Sequence, residues 1–414
     1  MDKKIVLSFI GFSLLTNTLF GAVVAKNTGE ANSFRHMLKD GKVTGEIRSM
    51  YIGYDEKNSN NQDATAIGGM LKYELANFNG FGGGVVFRTS NDITVLSGEG
   101  EKHNSELSGD RGSYNQLSQA YISYKNDKFT FKGGRQGLDT PLADSDDIRM
   151  IPNSFNAYVL AYKADSYELS GGYFDRWQGV DAGLDNEWVK TGKNGTAFVG
   201  IGYDGKIYEA NGWVYAFSNA SESAIANGAD ANGNDSYYVD FGAHYHINKD
   251  IKIHGVAQYL KQNERDKSGI SSEIYGVSAE VVVKDLTFNV AYNDAKRQAA
   301  KHSFSGYGGG SLFTSLDAMI VDEITEDRRA YAWVGSCSYA MGEMSFLYAY
   351  GEFKGDADSA GQKADIVEQN IAFEYTHAKE WTLSAIYVID RNKEDSSSED
   401  FNNDNFRVLI AYNF

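Results

Sequence analysis

Apolar and polar residues alternate with a period of two along most of this chain. In 406–414, Phe406, Val408, Ile410, Tyr412 and Phe414 share one parity, while Arg407 and Asn413 hold the other. Successive side chains of a strand point to opposite faces, so the pattern predicts a β-strand with one apolar and one polar face. Val43, Ile47 and Tyr51 oppose Glu46 and Arg48 in the same way, and Ile67, Leu71, Tyr73 and Leu75 oppose Lys72 and Glu74. Tyr237, Val239, Phe241, Ala243 and Tyr245 oppose Asp240, His244 and His246, and Leu286, Phe288, Val290 and Tyr292 oppose Thr287, Asn289 and Asn293. Trp381, Leu383, Ala385, Tyr387 and Ile389 oppose Thr382 and Ser384. In all, about 18 such segments of roughly 8–12 residues recur, the length of a tilted strand crossing a bilayer.

The connections between these segments alternate short and long. Short ones are 76–80, 125–128, 204–206, 284–285 and 340–343; long ones are 89–116, 134–155, 176–194, 218–235, 294–328, 354–365 and 391–404. Short turns at one end and long loops at the other are the asymmetry of a membrane β-barrel. Too many apolar faces recur for one soluble core; set against lipid they need none, and closure removes the sheet edges. The fold class expected is therefore all-β, a transmembrane antiparallel barrel with both ends on the periplasmic side and a lumen wide enough to hold water.

Composition agrees. The chain of 414 residues carries 44 Gly, 27 Tyr and 23 Phe but only 2 Pro and 1 Cys, as long strands require. Lys3 and Lys4, the apolar run 5–20 and the small residues Gly21, Ala22 and Ala25 read as a secretory leader over 1–25, cut before Lys26. A short periplasmic segment, 26–41, then leads into a barrel spanning 42–414. The net charge of −17 argues against nucleic acid as a partner. Cys337 stands alone, so neither a disulfide nor a cysteine metal site is expected.

Both prolines, Pro141 and Pro152, fall in the loop 134–155. Each fixes its own φ and restricts its predecessor, so this loop is built to hold one path. It is the third long-side loop, which porins fold into the lumen. The motifs Gly134-Arg135-Gln136, Asp139-Thr140-Pro141-Leu142 and Asp147-Ile148-Arg149, leading through Pro152 to Phe155, resemble those of the OprD family of outer-membrane porins. The stretch from Phe34 through Gly41-Lys42-Val43-Thr44-Gly45-Glu46-Ile47-Arg48 resembles the family's first strand, and Ser118–Tyr124 is compatible. The resemblance implies 18 strands, an inward third loop, a homotrimer, and lumen-facing arginines opposed to acidic loop residues. It also implies that the aromatic terminus Phe406, Val408, Ile410, Tyr412 and Phe414 is the signal read by the barrel-insertion machinery.

Parity supports part of that picture. Arg48, Lys72, Arg88 and Arg407 lie opposite the apolar parity of their strands, and Arg135 flanks the loop; together they are the candidate pore wall. Asp139, Asp144, Asp146, Asp147 and Arg149 are the candidate constriction. Opposed charges across a narrow wet gap make a transverse field that filters ions. Since acid exceeds base, cations are the expected preference.

Other signals carry less. His244 and His246 share a face and read as wet-wall residues rather than a metal pair. Asp230–Asp235 resembles part of a calcium loop but lacks Gly at the sixth position and has Phe241 where the bidentate Glu belongs. Gly80–Gly84 and Gly306–Gly310 lack the Lys-Ser/Thr of a nucleotide loop, and no nucleophile elbow occurs. Leu312–Val321 is a short apolar run that can pack on a neighbour or plug the mouth. The expected function is passive diffusion of ions and small hydrophilic solutes across the outer membrane of a Gram-negative cell, in contact with lipid and lipopolysaccharide. No catalysis, cofactor or metal is expected. The alternatives are a channel selective for amino acids or small carboxylates, and a surface adhesin or structural barrel.

Overall fold

A computed structural model describes residues 30–57, 59–184, 188–221, 225, 231–394 and 402–414. The expected leader 1–25, the start of the segment 26–41 and Asp230 lie outside them. Eighteen antiparallel strands form the barrel. They are β1 (Lys42–Glu56), β2 (Gln62–Glu74), β3 (Phe81–Asp92), β4 (Ser113–Lys125), β5 (Phe129–Gln136) and β6 (Ser154–Ala164). Next come β7 (Tyr167–Gln178), β8 (Thr196–Asp204), β9 (Tyr208–Phe217), β10 (Asn234–His246), β11 (Ile251–Glu264) and β12 (Ser272–Val283). The ring ends with β13 (Leu286–Ala295), β14 (Ala330–Met341), β15 (Met344–Gly355), β16 (Ala364–His377), β17 (Trp381–Asn392) and β18 (Asn403–Asn413). Each strand pairs with the next in sequence, and β18 closes on β1 from Glu46↔Asn413 to Glu56↔Asn403.

Eight connections are turns of two to six residues, and nine on the opposite rim are loops of which 137–153 is the third and 296–329 the seventh. The strands reach further into the long-loop side than alternation suggests. The second loop shrinks from 89–116 to 93–112, and the third from 134–155 to 137–153, because Gln136↔Phe155 and Arg135↔Asn156 still belong to the ladder. Backbone pairing continues past the point where apolar residues stop. On the short-turn rim, helix α1 (Phe34–Lys39) starts at Ser33, whose hydroxyl accepts from the His36 amide. It docks on the first turn through the Ala76 amide donating to the Met37 carbonyl at 3.0 Å.

The outer face is apolar all round the ring. Ile47, Leu71, Val85, Leu160, Ile201, Val239, Val290, Ile371 and Ile410 are all exposed along its waist. Aromatic pairs fringe it: Phe81–Tyr124, Phe129–Tyr162, Phe346–Phe373 and Trp381–Tyr412 at the short-turn rim, Tyr51–Phe406, Tyr259–Tyr275 and Trp333–Tyr350 at the other. A continuous apolar belt far exceeds the patch a water-soluble monomer tolerates. Two aromatic girdles around an aliphatic waist match a bilayer and its interfaces.

The inner face departs from the simple wet wall. Two apolar clusters fill part of the lumen. Met50, Ile52, Ala64, Ala66, Tyr114, Ile386 and Val388 of the wall enclose Met150 and Ile151 of the third loop. Phe155, Phe174, Tyr215, Phe217, Phe353 and Ile366 pack against Leu138 and Leu142 of that loop and Tyr307, Leu312, Leu316 and Met319 of the seventh. A single strand's alternation cannot show this, because the partners are loops that return from outside.

Phe414 completes the seam. Its amide donates to the Gly45 carbonyl and its carbonyl accepts from the Gly45 amide, both at 2.9 Å. Its ring occupies the space where any Cβ at Gly45 would sit, and it stacks beside Tyr412. In lipid an unpaired backbone group costs several kcal/mol. Removing Phe414 is therefore expected to lower the yield of heat-modifiable barrel several-fold while leaving the conductance of the barrels that do form unchanged. Normal membrane yield of the truncated chain would refute the role of this residue in closure.

Candidate functional site

The third loop turns into the lumen directly after β5. Asp139–Thr140 and Ala143–Asp144 pair as a small hairpin closed by Pro141 and Leu142, and the Thr140 hydroxyl donates to the Ala143 carbonyl at 2.9 Å. Proline at the first turn position presets the φ the turn needs. The Ser145 amide donates to the Leu138 carbonyl at 2.9 Å and the Asn153 amide to the Ser145 carbonyl at 2.6 Å, which ties the loop's base to its return strand. Asn153 also holds Asp181 of the fourth loop, Nδ2 to Oδ2, at 2.6 Å.

Charged residues of the wall hold the loop's tip. Arg48 on β1 donates through Nη1 to Asp147 Oδ1 at 2.8 Å and to the Arg149 carbonyl at 2.7 Å. Its Nε bonds Glu46 on the same face. Arg149 in turn donates from Nε to Glu106 of the second loop at 2.8 Å. Arg88 on β3 lies buried beside Asp147 and Arg48, with its Nε lacking a protein partner. These guanidiniums outweigh the cost of confining Asp147 and hold its carboxyl below the usual carboxylate range.

The remaining acids meet no cation at close range. Asp144 is pushed up to about 7 by burial, with Asp139 and Asp146 adding to it. Asp146 is likewise pushed up to about 7 by burial and by Asp181, Asp317 and Asp147, against the opposing charge of Arg149. Asp139 sits exposed at the hairpin's edge, opposite Asp144.

The seventh loop also enters the lumen and packs on the third. It joins the third through the Asp144 amide donating to the Tyr307 carbonyl at 2.9 Å and the Tyr307 amide donating to the Leu142 carbonyl at 3.1 Å. Polar side chains of the inner wall satisfy its backbone. Gln258 Oε1 accepts from the Phe313 amide at 2.7 Å, Asn293 Oδ1 from the Thr314 amide at 3.0 Å, and Glu368 from the amides of Ala318 and Met319 at 3.1 and 2.8 Å. Buried loop backbone needs such partners. Asp317 of this loop is ion-paired to Arg407 on β18, which is fully buried, with Nε and Nη1 lacking protein partners.

Thus Arg48 and Arg88 meet Asp147, Arg149 lies near Asp146, and Arg407 pairs with Asp317, while the charged neighbours of Asp144 are Asp139 and Asp146. Lys72 also faces the lumen, but toward the short-turn rim, paired with Glu74 at 2.8 Å. Arg135 does not line the pore. It shares the parity of Phe129 on the outer face, opposite Ala120, which a bulge at Ser118 turns outward. Its guanidinium lies 4.7 Å over the Trp188 ring. Position beside the loop in sequence suggested a wall residue, whereas the strand's parity puts it outside. Glu106, Asp317 and Glu368 are bonding partners at this site that alternation does not reveal, since two lie in loops and their mates are 43 to 90 positions away.

No family model matches the chain, and no curated protein matches it. Solved structures share the fold. OccAB2 of Acinetobacter baumannii superposes with a TM-score of 0.76 at 15% identity, over 92% of this chain and 99% of that one. OpdK of Pseudomonas aeruginosa, crystallised with vanillate, gives 0.74 at 16% over 91% and 99%. OccK9 (OpdG) of Pseudomonas aeruginosa gives 0.75 at 11% over 91% and 99%. The barrel architecture and its full extent are therefore common to all of them.

Carboxyls held near 7 carry protons at pH 6 and lose them by pH 8. Infrared titration of the folded protein should show protonated carboxyl absorption falling across that window, and Asp144→Asn and Asp146→Asn should each remove part of it. A spectrum unchanged between pH 6 and 8 would contradict the acidic cluster described above.

Proposed function

We propose that this chain is an OprD-type porin of the Gram-negative outer membrane, passing ions and small hydrophilic solutes by passive diffusion with a preference for cations. The observation that carries this is the combination of a lipid-matched belt with a charged lumen narrowed by two inward loops. Passive flow needs only a wet path with weak, multiple contacts, and opposed charges across it orient dipolar solutes. The arginines near the tip are largely committed: Arg48 to Asp147 and Glu46, Arg149 to Glu106, Arg407 to Asp317. The acids Asp144 and Asp146 are not neutralised in this way, so the surplus field is negative at and above neutral pH. That supports cation preference.

A carboxylate-selective channel is the second reading. Arg88 Nε and Arg407 Nε and Nη1 are buried donors without protein acceptors, and a carboxylate matches such donors. The solved OpdK structure holds vanillate, an aromatic carboxylate. A surface adhesin is less well supported, because Leu312, Leu316 and Met319 of the longest loop are buried in the barrel and offer no outside surface. A role for Phe406, Val408, Ile410, Tyr412 and Phe414 in recognition by the insertion machinery, and assembly as a homotrimer, belong to the same proposal.

Planar-bilayer recording of the purified protein tests it. Steady open-channel conductance is expected, with a K+ over Cl− preference that grows from pH 6 to pH 8 as Asp144 and Asp146 ionise. Asp144→Asn/Asp146→Asn should flatten that rise. Removing 312–321 from the seventh loop should increase conductance. Electrical silence would sink the porin reading, and block of the current by millimolar benzoate-type carboxylates would favour the selective one.

A further inference from the structure

Apart from the constriction, one group of side chains on the short-turn half of the lumen wall has the donors of a metal centre. Glu209 on β9, His244 on β10 and His254 on β11 place their ligand atoms within 4.8 Å of one another. Among the described residues no other group of His, Cys, Asp and Glu converges in this way. His244 and His254 are direct register partners across two strands, and their rings stack at 4.2 Å between centroids and 13° between planes. Stacking aligns the two Nε2 atoms on one side, and each faces one oxygen of the same carboxylate, at 2.9 Å and 2.8 Å.

Glu209 reaches His254 only by crossing the intervening strand. Its register partner there is Gly242, and a Cβ at that position would lie 2.7 Å from Glu209 Oε1 and 3.0 Å from His254 Nε2. The glycine is thus the space through which the carboxylate passes. On the far side, Glu280 of β12 is the register partner of His254, so a second carboxylate borders the imidazoles. The rings remain open to the lumen, with His244 25% exposed and Glu209 only 3%.

We propose that Glu209, His244 and His254 bind a divalent transition-metal ion of the Zn2+ or Cu2+ class on the lumen wall. Two imidazoles and one carboxylate, with a fourth position open to water or solute, is a familiar ligand set for such ions. Calcium and magnesium prefer all-oxygen sites and are not matched. An ion about 2.0–2.1 Å from each donor requires donors roughly 3.3 Å apart, and the present separations need only small rotations of the rings. Binding would add positive charge to a lumen wall that otherwise presents Asp240, Glu209 and Glu280. The site stands on its own geometry and does not depend on the porin reading.

The test uses Cu2+ added to the purified full-length protein. Dialysis at pH 7.5 should give one tightly held ion per chain, with an electron paramagnetic resonance spectrum split by two imidazole nitrogens. His244→Asn and His254→Asn should each lose one nitrogen from the splitting. Outer-shell changes alone weaken metal sites by about 10–100-fold, so loss of a ligand should reach at least about 100-fold. Gly242→Ala keeps all three ligands but blocks the path of Glu209, and should weaken binding about tenfold with both nitrogens retained. Heat-modifiable migration checks that each variant is folded. No bound ion at 100-fold excess Cu2+, or a folded His244→Asn/His254→Asn protein that keeps the two-nitrogen spectrum, would overturn the proposal.

Discussion

In hydrocarbon every backbone N–H and C=O must find a partner within the protein, and only a closed ring of strands does this without edges. The seam between β1 and β18 is where that requirement is met last. Its ladder runs from Glu46↔Asn413 to Glu56↔Asn403, and the Gly45–Phe414 pair extends it by one more step. Closure in turn dictates the two-faced strands, because a ring in lipid has one face for the bilayer and one for whatever it encloses.

What the ring encloses is decided by the same rule applied to loops. The third and seventh loops carry their own backbone into the lumen, where it packs against the wall. The wall answers with side chains. Gln258, Asn293 and Glu368 take the amides of the seventh loop, and Arg48 takes the carbonyl of Arg149 in the third. Apolar side chains of both loops then cover one another and the aromatic wall residues Tyr215 and Phe217. Polar inner positions thus serve first as scaffolding for inward loops, and only the remainder is left to line the open lumen.

That division explains how much of the site was legible. Parity alone places Arg48, Lys72, Arg88 and Arg407 on the inner face, because a strand's geometry is local. It does not tell that Arg407 meets Asp317, or that Arg149 meets Glu106, since loop paths are set by contacts far apart in the chain. Adjacency in sequence misplaces Arg135, where a bulge in the neighbouring strand and the strand's own parity turn the guanidinium outward to Trp188. The histidines show the same limit. Sequence pairs His244 with His246 on one strand, whereas register pairs it with His254 on the next and brings Glu209 across Gly242.

From the amino-acid sequence by itself come the all-β class, the strand number, the short and long rims, the outward apolar belt and an inward-turning loop stiffened by two prolines. Apart from the inward turn of that loop, which only the family resemblance implied, these follow from period-two alternation and from turn chemistry, both of which act over a few residues. Only the tertiary structure decides that a second loop enters the lumen, which acids pair with which arginines, and which carboxyls are left without a cation. Those outcomes depend on strand register and loop docking, where residues as far apart in the chain as Asp144 and Tyr307, or Gly45 and Phe414, come within hydrogen-bonding distance.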